Sequence, residues 1–270
     1  MAQKNRKPAG DLAAKAAAAR AAAEASDRRR TRLIQLIGAA VVGAVFIGII
    51  GIGVWGRQAN APQTALDPNA ALPAGVTADA TGIPSGVPVG TAGDDAPLLD
   101  LYEDFQCPGC GALEARNGEG LLALANDGKV RLRWHVMTFL DNSLPASDDS
   151  SYRASLAFGC AVDQGKAVEF HTLVFANQPA EEGLGFSDEV LIGLAEEAGI
   201  TGDALAEFTD CYESERYQRW VRNSDIAAQQ RGVPGTPTGY LDGQQLDSTA
   251  LGDQATLERL VAAAAAAREQ

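Results

Sequence analysis

The sequence predicts an α/β fold set behind a membrane-spanning segment and a linker, and three observations carry this. An apolar run of 23 residues, 33–55, contains one polar side chain, Gln35. Further on, "PLLDLYEDF" and "KVRLRWHVM" read as strands flanking a helix, and in the second of them Val130, Leu132, Trp134 and Val136 share one face. A helical tract over about 150–230 then gives way to a strand and turn over 235–246, "GTPTGYLDGQQL", and to a closing helix over 253–268.

Residues 1–32 form a basic, Ala-rich tail with nine Lys/Arg against three Asp/Glu. The tail has strong helix formers and no large apolar side chains, so a helix there has nothing to bury. The run 33–55 is long enough to cross ~30 Å of hydrocarbon. A cleaved signal peptide competes, since Ala59-Asn60-Ala61 resembles a cleavage site, but the run exceeds a signal core of roughly 7 to 15 residues. An uncleaved single-pass anchor in the cell membrane is expected, and the basic tail keeps the N-terminus cytoplasmic.

Residues 58–270 carry 12 basic and 32 acidic side chains, an excess that argues against nucleic-acid partners and leaves polypeptides open. Residues 56–94, rich in Ala, Pro and Gly, read as a flexible extracytoplasmic linker to a domain over 95–270. Within that domain, 111–126 is expected as the connecting helix, although Gly118 and Gly120 weaken it. The clearest helix is "SDEVLIGLAEEAG", with Ser187 as N-cap, an apolar recurrence at Leu191, Leu194, Ala195 and Ala198, and Gly199 as its stop.

All four cysteines follow the apolar run, in a space where disulfides persist. Cys107 and Cys110 straddle Pro108 and Gly109 at a strand-to-helix junction. Cys107 there meets the free N–H groups and dipole of a helix N-terminus, which stabilise a thiolate. Pro108 suits the first helical turn, and Cys110 stands one turn along, placed to close or resolve a disulfide. A zinc site wants a second close Cys or His pair, and Cys160 and Cys211 stand 51 apart. A purely local structural disulfide stabilises little. No cofactor beyond a redox-active Cys107–Cys110 disulfide is expected.

"DFQCPGC", followed far downstream by "GVPGTPTGYLDG", resembles the DsbA-like branch of the thioredoxin superfamily. The likeness extends through "EFHTLVFANQP" and "CYESERYQRWV" to the membrane-anchored DsbA-like proteins of high-GC Gram-positive bacteria. The resemblance implies a thioredoxin-like fold with a helical insertion over about 142–230, and thiol:disulfide exchange, most simply oxidation of cysteine pairs in exported proteins. It implies a cis-proline at Pro237, with Thr236 offering its backbone to an extended substrate. It also implies a structural disulfide between Cys160 and Cys211, with a redox relay as the alternative, and a quinone-linked membrane oxidase as partner.

The sequence departs from that family twice. Gly109 stands where strong oxidases often carry histidine, which points to a weaker oxidant and keeps a reductase or isomerase open. Leu101 occupies the position, six before the first cysteine, where an acid is common. Glu103 is the best substitute proton acceptor, with Asp100 and Asp104 as neighbours, and solvated charges are the competing reading of all three. His135 and His171 read as surface or core residues. A rival of another class is a non-catalytic envelope module that binds peptides near Pro237.

Overall fold

A computed structural model describes residues 65–143, 148–179 and 184–269. The basic tail, the apolar run 33–55 and the first part of the linker lie outside the described residues. Among the described residues no helix is long and apolar enough to cross a membrane.

The core is a mixed sheet of β1 (Val87–Val89), β2 (Leu98–Glu103), β3 (Arg131–Val136), β4 (Thr238–Leu241) and β5 (Gln244–Gln245), in the order β1-β3-β2-β4-β5. β2 runs parallel to β3, pairing Leu101 with Trp134 and Glu103 with Val136, and antiparallel to β4, pairing Tyr102 with Thr238. The parallel crossover is α1 (Pro108–Asn126), an unbroken helix that starts three residues before the expected one because Cys107 and Pro108 form its N-cap and first position. Gly118 does not interrupt it: a Cβ there would lie 2.4 Å from Glu114 Oε2, so the missing side chain makes room for that carboxyl.

Strand alternation sends Leu99, Leu101 and Glu103 to one face of the sheet and Asp100 and Tyr102 to the other. Both faces are covered. Leu99 and Leu101 join Leu113 and Leu121 of α1 in the main core, whereas Tyr102 packs with Met137 and Ala228. The Asp242-Gly243 reversal joins β4 to β5 with positive φ at both residues (49° and 82°), as a tight hairpin turn requires.

Between β3 and β4 lie α2 (Phe139–Ser143), α3 (Ser150–Asp163), α4 (Ala167–Ala176), α5 (Asp188–Glu197), α6 (Asp203–Glu213) and α7 (Gln218–Arg231). Ser187 caps α5, accepting from Val190 N. α3 is buried around Leu156, Phe158 and Ala161, and a disulfide joins its Cys160 to Cys211 of α6. Tyr217, Trp220 and Val221 are buried beside it. After β5, α8 (Ser248–Gly252) and α9 (Gln254–Arg268) close the chain, with Leu257 and Val261 of α9 buried.

The flexible linker expected over 56–94 is corrected in its described part. Val87 and Val89, 1% and 6% exposed, form an edge strand antiparallel to β3, and Ala78 bridges to Pro84. The composition misleads because three strand residues suffice once β3 supplies their partners. Asn223 of α7 clasps the segment: its Nδ2 donates to Asp67 O (2.8 Å) and Gly82 O (3.0 Å), and its Oδ1 accepts from Asp67 N (3.0 Å). Asn223→Ala is therefore expected to destabilise the domain by about 2 kcal/mol and to make 65–86 the first site of limited proteolysis. Unchanged denaturation and unchanged cleavage would show that the clasp is idle.

Candidate functional site

Chain direction changes at the end of β2, and Asp104 organises the change. Its Oδ1 accepts from Gln106 N (2.9 Å) and Ser151 Oγ (2.6 Å), and its Oδ2 accepts from Leu140 N (2.9 Å). Gln106 Nε2 in turn donates to Asp141 Oδ1 and Ser151 Oγ. These bonds tie the loop before Cys107 to the start of the helical insertion. Burial pushes the Asp104 carboxyl up to about 7, against the pull of its Ser151, Leu140 and Gln106 hydrogen bonds.

The loop delivers Cys107 to the N-cap of α1, with extended backbone (φ −72°, ψ 118°) and its carbonyl accepting from Gly111 N at 3.1 Å. Both Cys107 and Cys110 are free thiols here, and they are unequal. Cys107 is 9% exposed and Cys110 fully buried. A hydrogen bond from Cys110, then Thr236 and the N–H groups of Cys110 and Gly109, bring the Cys107 thiol down to about 6, although burial opposes them. Burial, donation to Cys107 and the nearby Glu103 and Cys107 charges push Cys110 well above the ordinary thiol value. One sulfur is thus the less covered and the more readily ionised, and its neighbour is a fully buried thiol.

Across from the cysteines, the Thr236–Pro237 peptide is cis. Cys107 Sγ lies 3.4 Å from Thr236 O. A Cβ on Gly109 would meet Pro237 Cδ at 3.2 Å and Cys107 Sγ at 3.6 Å, so that position is wedged between the proline and the sulfur. Pro108 opens the helix. The structure therefore gathers Cys107, Pro108, Gly109, Cys110, Thr236 and Pro237 into one place, while Cys160 and Cys211 are paired away from them in the insertion.

The reading of Asp100, Glu103 and Asp104 as solvated charges is corrected, since they are 5%, 5% and 0% exposed. Each is covered by structure that the strand pattern alone does not show. Asp100 faces His135, with Oδ1 2.8 Å from Nε2, and Arg231 of α7, with Oδ2 3.4 Å from Nη1. Burial resists its ionisation, but the His135 hydrogen bond and the His135, Arg231 and Arg133 charges hold it below the usual carboxylate range. His135, stacked on Tyr102, is buried too, because α7 and the N-terminal segment cover that face.

Glu103 lies on the other face, beneath the cysteines. Leu101 and Glu103 are two residues apart on a strand, so they point the same way. An acid at 103 occupies the face on which the family's acid at 101 would stand, one pleat nearer the active-site loop. Glu103 Oε2 is 3.1 Å from His171 Nε2, and Glu114 of α1 joins them, with one donor atom from each of the three lying within 4.8 Å of the others. Burial, then the Cys107 charge, drives Glu103 up to about 8. Burial and the Glu103 charge raise Glu114 to about 7. His171, stacked on Trp134 at 3.7 Å and flanked by Phe105, Phe158 and Phe175, is lowered to about 4 by burial and is neutral near pH 7. Its contact with Glu103 is accordingly a hydrogen bond to a carboxyl group, and the cluster holds protons beside the sulfurs.

Sequence reasoning missed Glu114 and His171 as site residues. A usable signal existed for Glu114, which follows Cys110 by four residues and so shares the inward face of its helix. No local pattern marks His171, which an independent helix brings in.

A family model described as Thioredoxin matches residues 91–262. Among solved structures, the chain is similar to the oxidised DsbA of Mycobacterium tuberculosis, with 28% identity and a TM-score of 0.52 over 67% of this chain and 98% of that one. It is also similar to MdbA, a thiol-disulfide oxidoreductase from Actinomyces oris, with 25% identity and a TM-score of 0.52 over 63% of this chain and 81% of that one. A curated relative, a Na(+)/H(+) antiporter NhaA 1 from Salinispora arenicola, is 30% identical over 159 residues, covering 56% of this chain. The alignment spans only 21% of that relative's length. Because the family model covers well over half the sequence and takes in the CPGC loop, the buried acid and the cis Thr236–Pro237 peptide alike, this chain belongs to the thioredoxin family.

Proposed function

We propose that the protein is an extracytoplasmic thiol:disulfide oxidoreductase that oxidises cysteine pairs in exported proteins. The observation that carries this reading is the inequality of the two sulfurs at the head of α1. Cys107 is the less buried, at 9% exposed, and held down to about 6, whereas Cys110 is fully buried and held up. In the oxidised form a substrate thiolate attacks Cys107 Sγ, the Cys107–Cys110 bond breaks, and Cys110 leaves as a thiolate that takes a proton from Glu103. The substrate's second thiolate then attacks its own sulfur in the mixed disulfide and expels the Cys107 thiolate. Two electrons pass from substrate to protein and the substrate gains one disulfide.

Thr236, beside Cys107, has an accessible role as a backbone partner for an extended substrate, in a strand-addition mode. The apolar run 33–55 would hold the domain at the outer surface of the cell membrane, with 1–32 in the cytoplasm. A quinone-linked membrane oxidase would return the enzyme to its disulfide form, and the redox-active disulfide is the only redox group this cycle uses.

A reductase or isomerase reading is favoured by one observation. The Cys107 value of about 6 falls between the roughly 3.5 of a strong oxidase and the roughly 7 of thioredoxin. Gly109 supplies no side chain to lower it further. Equilibrating the full-length protein with glutathione buffers and trapping free thiols by alkylation separates the two. A midpoint above roughly −200 mV is expected for a disulfide donor, and one near roughly −270 mV would assign the protein to reduction.

A further inference from the structure

We propose that Gln178 is a positioning residue for Cys107, holding the backbone of the active-site loop from the end of α4. The inference rests on the thiol-exchange reading of Cys107 and names a residue outside the CPGC motif and the cis-proline loop.

Gln178 Nε2 donates to Phe105 O at 2.7 Å and to Cys107 O at 3.0 Å. Two carbonyl acceptors fix which end of the amide faces the loop, since only the nitrogen end can donate. The amide oxygen points the other way, onto α1: a Cβ built on Gly111 would lie 2.2 Å from Gln178 Oε1 and 2.9 Å from Cδ. The bare Gly111 therefore provides the space in which the Gln178 amide rests. Both hydrogen bonds end on the two carbonyls bracketing Gln106, so the turn into the helix is held from outside the helix. The Cys107 carbonyl also accepts from Gly111 N at 3.1 Å, and Gln178 thus shares the acceptor that begins α1.

The geometry continues along α4. His171 and Phe175, at i and i+4, share one face of α4, and Gln178 follows two residues beyond its last residue, Ala176. His171 meets Glu103, Phe175 meets Phe105 with ring centroids 5.2 Å apart, and Gln178 meets Cys107. One face of the insertion thus backs the active-site strand, loop and sulfur in turn. The thiolate at Cys107 is stabilised by the N–H groups of Gly109 and Cys110, whose direction depends on the N-cap backbone that Gln178 holds. A loosened N-cap leaves the sulfur less well aimed at those donors.

The test uses three variants of the full chain: Gln178→Ala, Gly111→Ala and the two combined. The readouts are the pH profile of Cys107 alkylation in the reduced protein and the glutathione equilibrium, with circular dichroism as the check on folding. Gln178→Ala is expected to slow alkylation at pH 6 roughly threefold and to shift the glutathione equilibrium by a similar factor toward the protein disulfide. Gly111→Ala should do the same, because its methyl takes the place of the Gln178 amide, even though alanine is the better helix former. The double variant should be no worse than either single one. A folded Gln178→Ala protein with an unchanged profile would overturn the proposal, as would single effects that multiply in the double variant. Should Gln178→Ala not fold, Gln178→Glu keeps the volume and loses the donors; an unchanged profile there would overturn the proposal equally. Alkylation needs only a thiolate, so a native protein that exchanges no disulfides would refute the oxidoreductase reading while leaving the Gln178 effect measurable.

Discussion

Replacing Cys107 by serine is expected to reduce disulfide exchange by at least about a thousandfold, whereas replacing Cys110 by serine should convert the protein into a trap. The two outcomes follow from one structural difference. Cys110, the sulfur left in Cys107→Ser, is fully buried, with its thiol raised well above its usual value. It presents neither a thiolate nor a path to one, and both are needed for attack on a disulfide. In Cys110→Ser the remaining Cys107 is the less buried of the two positions and keeps the Thr236 and N–H hydrogen bonds that lower its thiol, with a serine hydroxyl in place of the Cys110 donor. It should form mixed disulfides with oxidised glutathione or a substrate, and no neighbouring thiol can release them. Mass spectrometry of the unreduced proteins reads both results, and the rate of trapping should rise with pH as Cys107 ionises. Adducts on Cys110, or full dithiol exchange in both variants, would overturn the assignment of roles. Absence of exchange in the native protein combined with intact peptide binding after replacement of all four cysteines would turn the site into a binding module.

Much of this arrangement is legible in the sequence because its signals are local. The inward alternation of Val130, Leu132, Trp134 and Val136, the Ser187 cap and the Asp242-Gly243 turn each need only near neighbours, and each stands in the structure where the pattern puts it. Cys107, Pro108 and Cys110 likewise form a local unit at a strand-to-helix junction. What the sequence hides depends on partners far along the chain. Residues 87–89 are a strand only because β3 offers an edge, and the stretch before them is held by Asn223, more than a hundred residues away. Asp100, Glu103 and Asp104 look like solvated charges because their cover, from Arg231, His171 and Ser151, comes from the insertion or its ends. His171 shows the limit plainly: its role follows from which face of α4 meets β2, and no residue near it in sequence decides that.

Replacing Glu103 by glutamine should separate chemistry from stability. An acid whose value is raised on folding holds its proton more tightly in the folded state than in the unfolded chain. Stability is then full below the unfolded value, about 4.5, and falls as pH rises toward the folded value of about 8. Glu114 and Asp104, each raised to about 7, and Asp225, raised to about 6, act in the same direction. His171 acts oppositely: its lowered value of about 4 means that acidification below about 6.5 protonates the unfolded chain first and costs the fold stability. Four raised acids outweigh one lowered histidine, so the native protein should melt higher near pH 5 than at pH 8. Glutamine keeps the shape of Glu103 and never ionises, so Glu103→Gln should raise the melting temperature at pH 8 by about 3 to 6 °C and flatten its decline from pH 5. The relief is smaller than a sum over the acids, because Glu103 and Glu114 share one site and titrate together. Exchange should change the other way. Without the Glu103 proton the departing Cys110 thiolate has lost its buried donor, and turnover should fall roughly a hundredfold, with the alkaline limb of its pH profile displaced. A variant with the native pH dependence of melting would show that Glu103 does not carry the buried charge cost. Unchanged turnover would remove it from the chemistry and leave Glu114 and His171 as the groups that move the proton.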